Sequence, residues 1–160
     1  MLHAERMKRT LLLLPLALAS CGLFGTPSNY DVTGTLTGTP PAAGNVRLAL
    51  VGASLGGVVN ANVPQIDVSL GNRGVFGVDR PAAPDEGLYQ VIAYVDTNSD
   101  RQYNSGEPRT RDNQKYLVYS RGGALADLVG LKAGWNLVNT STTPFSVTQP
   151  GRVTGYDLNW

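Results

Sequence analysis

What most limits the folds open to this chain is its punctuation. From residue 30 onward the apolar residues come in short alternating runs, each cut off by glycine, proline or asparagine. Tyr30, Val32, Gly34 and Leu36 alternate with Asp31, Thr33, Thr35 and Thr37. After the break at Pro40-Pro41, Val46, Leu48 and Leu50 alternate with Arg47 and Ala49, and later Ile66, Val68 and Leu70 alternate with Asp67 and Ser69. A period of two is the mark of a strand with one buried face. Leu88–Val95 differs, being apolar almost throughout. It is too short for a free-standing helix and rich in β-branched and aromatic residues, so it reads as a central strand covered on both faces. Val75–Val78, Tyr116–Tyr119, Trp135–Val138, Phe145–Val147 and Val153–Trp160 complete the expected strands. Gly52–Asn62 reads as a loop and Gly71–Gly74 as a turn. Only Ala124–Leu131 has helical spacing, enough for a turn or a short helix. With 19 glycines and 10 prolines in 160 residues, the expected class is all-β, an antiparallel β-sandwich, rather than a bundle.

The N-terminal segment is of another kind. Lys8 and Arg9 precede the apolar run Leu11–Leu18, and Leu18-Ala19-Ser20-Cys21 closes it with small residues before the only cysteine of the chain. This is the layout of a secretory signal. The run is well short of the ~20 residues that span a bilayer, so an anchor helix is not expected. Plain secretion would leave a lone thiol in an oxidising compartment. The closing tetrapeptide resembles the lipobox of bacterial lipoproteins. That resemblance implies cleavage before Cys21, acylation of its sulfur, palmitate among the acyl chains, and attachment to a membrane of the bacterial cell envelope, facing periplasm or exterior. The expected organisation is a signal peptide over 1–20, a lipidated tether over 21–29 and a β-sandwich domain over 30–160. A start at Met7 would give a tighter signal peptide than one at Met1. The tether from Gly22 to Asn29 reaches at most about 30 Å. The domain then sits close to its membrane, and an apolar patch facing lipid is expected.

Processing removes chemistry as well as residues. The sole histidine, His3, lies in the discarded segment, and the sole cysteine goes to the lipid. The mature domain can build no Ser-His-Asp triad, no Cys-His pair and no zinc site of the usual ligands. An enzyme here would depend on carboxylates, tyrosine, lysine or a hard metal, and the expectation is a non-catalytic protein. The chain has 13 basic and 12 acidic residues. Losing Arg6, Lys8, Arg9 and Glu5 leaves the net charge near zero. No basic surplus remains for a phosphate backbone, so no nucleic-acid partner is expected.

The constellation that carries chemistry follows the central strand directly. Counting Asp96 as position 1, oxygen-bearing side chains fall at Asp96, Asn98, Asp100, Asn104 and Glu107, the positions 1, 3, 5, 9 and 12 of a calcium loop. Position 7, Gln102, would contribute its backbone carbonyl. Ca²⁺ takes six to eight hard oxygens, and alternate residues of a tight loop can point inward around it. Position 6 departs from the pattern, since Arg101 stands where glycine is usual. Arg101, Arg109 and Arg111 also bring positive charge near the three carboxylates, which points to weak binding. Tyr103 is placed to plug the loop onto the sheet. A polar turn held by Asx hydrogen bonds would use the same residue types.

The segment from Gly87-Leu88-Tyr89 through Asp96-Thr97-Asn98 to Gly106-Glu107-Pro108 resembles the signature of calcium-binding β-sandwich modules of bacterial surface proteins, similar to the transthyretin-like, immunoglobulin-like and SdrD B-like groups. The resemblance implies that calcium is structural there and that Asp96, Asn98, Asp100, Asn104 and Glu107 are its side-chain ligands. The partner would be another envelope protein or a glycan. A carbohydrate-binding module is the other reading, using Tyr94, Tyr116, Tyr119, Trp135, Tyr156 and Trp160, unless these fill the core. Gly52–Gly57 has the glycines of a phosphate loop but is followed by Val58 where lysine is needed. Asp85 and Glu86 are adjacent carboxylates that a turn explains better than catalysis.

Overall fold

A computed structural model describes residues 29–54, 58–60, 66–68, 74–82 and 84–160. The signal peptide, Cys21 and most of the tether lie outside the described residues, as do 55–57, 61–65, 69–73 and 83. The elements are β1 (Val32–Thr37), β2 (Asn45–Ala53), β3 (Val59–Asn60), β4 (Ile66–Val68), β5 (Val75–Val78), β6 (Gly87–Asp96), β7 (Lys115–Ser120), α1 (Ala124–Leu128), β8 (Gly134–Asn139), β9 (Ser146–Thr148) and β10 (Leu158–Asn159). The class expected from the alternating runs holds: among the described residues the regular structure is almost entirely strand, in two sheets.

The small sheet has the order β10-β1-β5, and the large sheet runs β3-β2-β6-β7-β8-β9 with β4 also paired to β2. All the strand pairs are antiparallel except β1 with β10, which runs parallel with Leu36 opposite Leu158. Val32, Phe76, Val78 and Leu158 of the small sheet meet Leu48, Leu50, Val91, Ala93 and Leu117 of the large one in a single core. The intervening residues of β2 and β6, Ala49, Val51, Ile92 and Tyr94, point to the other face of the large sheet and are buried there with Tyr103. This is why β6 is apolar throughout: both of its faces are covered, as a central strand requires. A second cluster on the outer face gathers Tyr116, Val118 and Val138, with Leu131 packed over it.

The strand boundaries differ from the alternating pattern in three places. β2 continues through Gly52 and returns as β3, with Gly52 opposite Asn60, so part of the expected loop is a hairpin. Phe145 stays outside β9 and is half exposed. The expected strand Val153–Trp160 is strand only at β10, because Gly155 takes a φ of 66° and breaks the extended chain. The segment nevertheless tracks β1: Val153 forms a parallel bridge with Val32, and Tyr156 donates its N–H to the Thr33 carbonyl. The approach is close enough that a Cβ on Gly34 would lie 2.3 Å from the Tyr156 carbonyl oxygen.

One irregularity sets up the site. β6 and β7 pair only over Gly87–Tyr89. Beyond that, β6 takes a different partner, the chain returning from its own loop. Val95 donates to the Pro108 carbonyl, Thr110 donates to the Ala93 carbonyl, and Tyr94 bridges Arg109. At the fork the Tyr156 hydroxyl, fully buried, accepts the Val91 N–H and donates to the Lys115 carbonyl at 2.6 Å. Gln90 donates there to Asp112. Side chains thus occupy the places that ladder bonds leave open.

Candidate metal centre

Residues 96–107 form the connection between β6 and its returning partner, so both ends of the loop are held by backbone hydrogen bonds to the central strand. Tyr103 holds the middle. It is buried against Tyr94 with ring centroids 5.7 Å apart in an edge-on contact, and it joins Ala49, Val51 and Ile92. Such a pair adds to the burial of both rings. The expected plug is therefore present, and it fixes the loop to the outer face of the large sheet.

Around this anchor the alternate residues, with Asn98, Asp100 and Gln102 exposed to solvent, hydrogen-bond to one another. Asn98 Oδ1 accepts the Asp100 N–H at 3.0 Å, and Asp100 Oδ1 accepts the Gln102 N–H at 2.8 Å. Asp100 Oδ2 takes the side-chain amides of Asn98 and Asn104 at 2.9 and 2.8 Å. The same Asn104 amide reaches the Gln102 carbonyl at 3.1 Å. Four of the expected ligand positions, Asn98, Asp100, Gln102 and Asn104, therefore stand in mutual contact. Glu107 joins them through Oε2, which accepts the Asn104 N–H at 2.9 Å, while its Oε1 accepts the N–H and hydroxyl of Thr97. The Asn104 –NH₂ is a donor set between two acceptor oxygens, the electrostatic role that a cation would take over. The Gln102 N–H, followed by the Asn104 amide, holds the Asp100 carboxyl below its usual range.

The backbone follows the path that glycine ordinarily serves. Arg101 has a φ of 65° and Ser99 a φ of 64°. Left-handed geometry costs an L-residue about 1–2 kcal/mol, so the loop takes the sharp turn in spite of the arginine rather than routing around it. The strain is held by the closed ends and by Tyr103.

Asp96 behaves differently from the others. Its side chain is completely buried, and Oδ2 accepts both Arg47 Nε at 2.5 Å and the Arg101 N–H at 3.3 Å. Oδ1 is buried with no hydrogen-bond partner among the described residues. A buried carboxylate oxygen without a partner costs free energy unless something positive reaches it. Sequence reading missed Arg47, which lies on β2 two residues in from its start, opposite Tyr94, with Asn45 opposite Asp96. Nothing local in the sequence pairs residues 47 and 96. The only available signal was an arginine inside an otherwise apolar strand.

Among the described residues, no group of three or more His, Cys, Asp or Glu side chains stands ready to hold a metal ion. The donor set of a calcium loop is wider than that, since amide and backbone carbonyl oxygens count equally. One observation favours a hard cation, the orphaned Asp96 Oδ1. Asp96, Asp100 and Glu107 would have to supply the charge, with Asn98, Gln102 and Asn104 giving neutral oxygens, but the three carboxylates do not stand together as a ready ligand group.

The other candidates take structural places. Tyr94, Tyr116 and Tyr156 are buried, and Trp135 stacks edge-on with Tyr89 and Tyr119, donating its Nε1–H to the Pro81 carbonyl at 3.0 Å. Glu86 accepts the Ser120 hydroxyl and the Arg121 N–H, and the Asp85 backbone carbonyl accepts the Tyr89 hydroxyl, bonds that hold the turn. Lys, the residue a phosphate loop needs, is absent at Val58, which is exposed.

No family model matches this chain, and no curated protein or solved structure does either. Among the described residues no helix is long and apolar enough to cross a membrane.

Proposed function

We propose that this chain is a lipid-anchored bacterial envelope protein, attached through Cys21, whose β-sandwich is a non-catalytic binding or structural module stabilised by Ca²⁺ in the loop 96–107. The observation that carries the metal reading is Asp96 Oδ1: a fully buried carboxylate oxygen without a hydrogen-bond partner among the described residues, at position 1 of a loop with the calcium spacing. The turn at Arg101, taken against its steric preference, supports the same reading. The lipobox-like Leu18-Ala19-Ser20-Cys21 carries the anchor. The lack of histidine and thiol in the mature domain supports a role without catalysis. The partner is an envelope protein or a glycan.

Intact-mass analysis of protein extracted from the envelope tests the anchor. The expected mass begins at Cys21 and includes the lipid; an unmodified thiol at Cys21 refutes it. Calorimetric titration with Ca²⁺ tests the metal, with Glu107→Gln as the control that removes one charge and one good metal oxygen. Absence of binding at millimolar Ca²⁺ refutes that part.

A further inference from the structure

The flap between β7 and β8 shows an apolar surface that no described residue covers. α1 buries none of its five residues. Leu125 and Leu128 are 83% and 81% exposed, and Val129 is 49% exposed. Three large apolar side chains on one short turn are unusual on a monomer, where single exposed leucines are ordinary. The display is not slack. Leu131 packs onto Tyr116, Val118 and Val138. Buried Asn136 accepts the Lys132 N–H at 2.9 Å and donates its amide to the carbonyls of Lys132 and Gly134. The foot of the flap is thus pinned to the sheet while its apolar turn faces out.

Its place in the fold says what covers it. The flap springs from Ser120 and returns at Gly134, which are paired, at the end of the large sheet where β6 begins. β1 begins at that same end. Asp31, the residue before β1, accepts the Arg80 N–H at 3.0 Å; Pro81, next along, accepts the Trp135 Nε1–H; and Trp135 follows Gly134. The described N-terminal end, at Asp31, therefore lies beside the foot of the flap. The tether from Gly22 to Asn29 spans at most about 30 Å, comparable to the width of the sandwich with its flap.

We propose that the α1 turn, through Leu125, Leu128 and Val129, docks on the lipid surface to which Cys21 is attached. This rests on the proposed lipidation. Three partly inserted side chains would add little to the retention already given by acyl chains, so their effect is orientation. The α1 end lies against the bilayer. The loop 96–107, at the other end of the ten-residue β6 and so about 30 Å away, points outward.

The test uses the mature lipidated protein in phosphatidylglycerol–phosphatidylethanolamine vesicles. Acylation leaves the chain without a thiol, since Cys21 is the only cysteine. A fluorophore on Leu128→Cys reports the α1 end, and one on exposed Thr39→Cys, in the β1–β2 connection, reports the other end. The expected result is a blue shift and quenching by spin-labelled lipid at Leu128→Cys alone. Adding Leu125→Asp and Val129→Asp should abolish the quenching with the melting temperature unchanged, because both sites are exposed. Vesicle-bound protein with both labels in water overturns the proposal and leaves the anchor intact. Protein with an unmodified Cys21 thiol that stays off the vesicles overturns the anchor, and the docking with it.

Discussion

Replacing Arg47 by methionine probes the burial of Asp96 most sharply. Methionine keeps much of the stem and removes the charge and the donor. Breaking a buried ion pair by deleting one partner costs about 3–5 kcal/mol. Here the Arg47 side chain keeps 23% exposure against 0% for Asp96, and Oδ2 retains the Arg101 N–H. The cost here is at or below the bottom of that range, about 2–3 kcal/mol, because water and that N–H relieve part of the loss. For a domain of this size one kcal/mol moves the melting temperature by about 3–4 °C, so the expected drop is about 6–12 °C in chelator. The decisive observation comes on adding Ca²⁺. A cation on Oδ1 supplies the positive charge that Arg47 no longer does, so the rise caused by Ca²⁺ should be larger in Arg47→Met than in the parent. Circular dichroism melts of both proteins, with chelator and with 5–10 mM Ca²⁺ as an order-of-magnitude choice for a weak extracellular site, give the four numbers. A drop below about 2 °C in chelator would refute the buried-charge argument. An equal drop with and without Ca²⁺ would show that no metal reaches Asp96.

Other substitutions follow from the same geometry. Tyr103→Ala removes the ring that ties the loop to Tyr94 and should cost about 3 kcal/mol in urea unfolding, with Ca²⁺ affinity falling as the loop loosens. Arg101→Gly relieves a positive-φ residue and should stabilise the domain by about 1 kcal/mol; a loss of stability would show that the arginine is held by something stronger than the strain. Gly34→Ala pushes a methyl into the Tyr156 carbonyl and should cost about 3 kcal/mol, read as a lower denaturation midpoint. Acid should destabilise the fold. Burial pushes the Asp112 carboxyl up, but the Tyr116 hydroxyl, the Gln114 N–H, the Gln90 amide and the Arg109 charge together bring it below its usual range. A carboxyl lowered in the folded state contributes stability that is complete above its unfolded value, about 3.9, and is lost as the pH falls through the lower folded value. The melting temperature should thus decline below about pH 4, with a shallower slope in Asp112→Asn.

The strands of this sandwich are legible in the sequence because each face leaves a period of two, and β6 is legible because both of its faces are buried. Pairing is not. Nothing in Val153–Trp160 says that it runs parallel to β1, or that Gly155 turns Tyr156 inward to fill the fork between β6 and β7. Alternation tells which side a residue faces, not which strand lies beside it. The loop shows the same division. The spacing of Asp96, Asn98, Asp100, Asn104 and Glu107 is local, and so is the apolar Tyr103 among polar neighbours. Arg47 became part of the site only when β2 paired with β6. Arg101, Arg109 and Arg111 stand near the loop in sequence, whereas the cation against Asp96, Arg47, comes from the neighbouring strand. The aromatics were ambiguous for a physical reason too, since tyrosine suits both a sugar platform and a core edge, and only burial decides.

The central claim is that Asp96–Glu107 is a cation site rather than a polar turn. Scanning calorimetry of the lipidated protein in chelator, in Mg²⁺ and in Ca²⁺ tests it most directly. At ten times Kd a bound ion adds about 1.4 kcal/mol to the native state, which raises the melting temperature by about 4–6 °C. The account predicts that rise with Ca²⁺, little with Mg²⁺, whose octahedral demand this loop does not meet, and almost none in Glu107→Gln. Identical melting in chelator and in millimolar Ca²⁺ would contradict it and leave the orphaned Asp96 oxygen without an explanation.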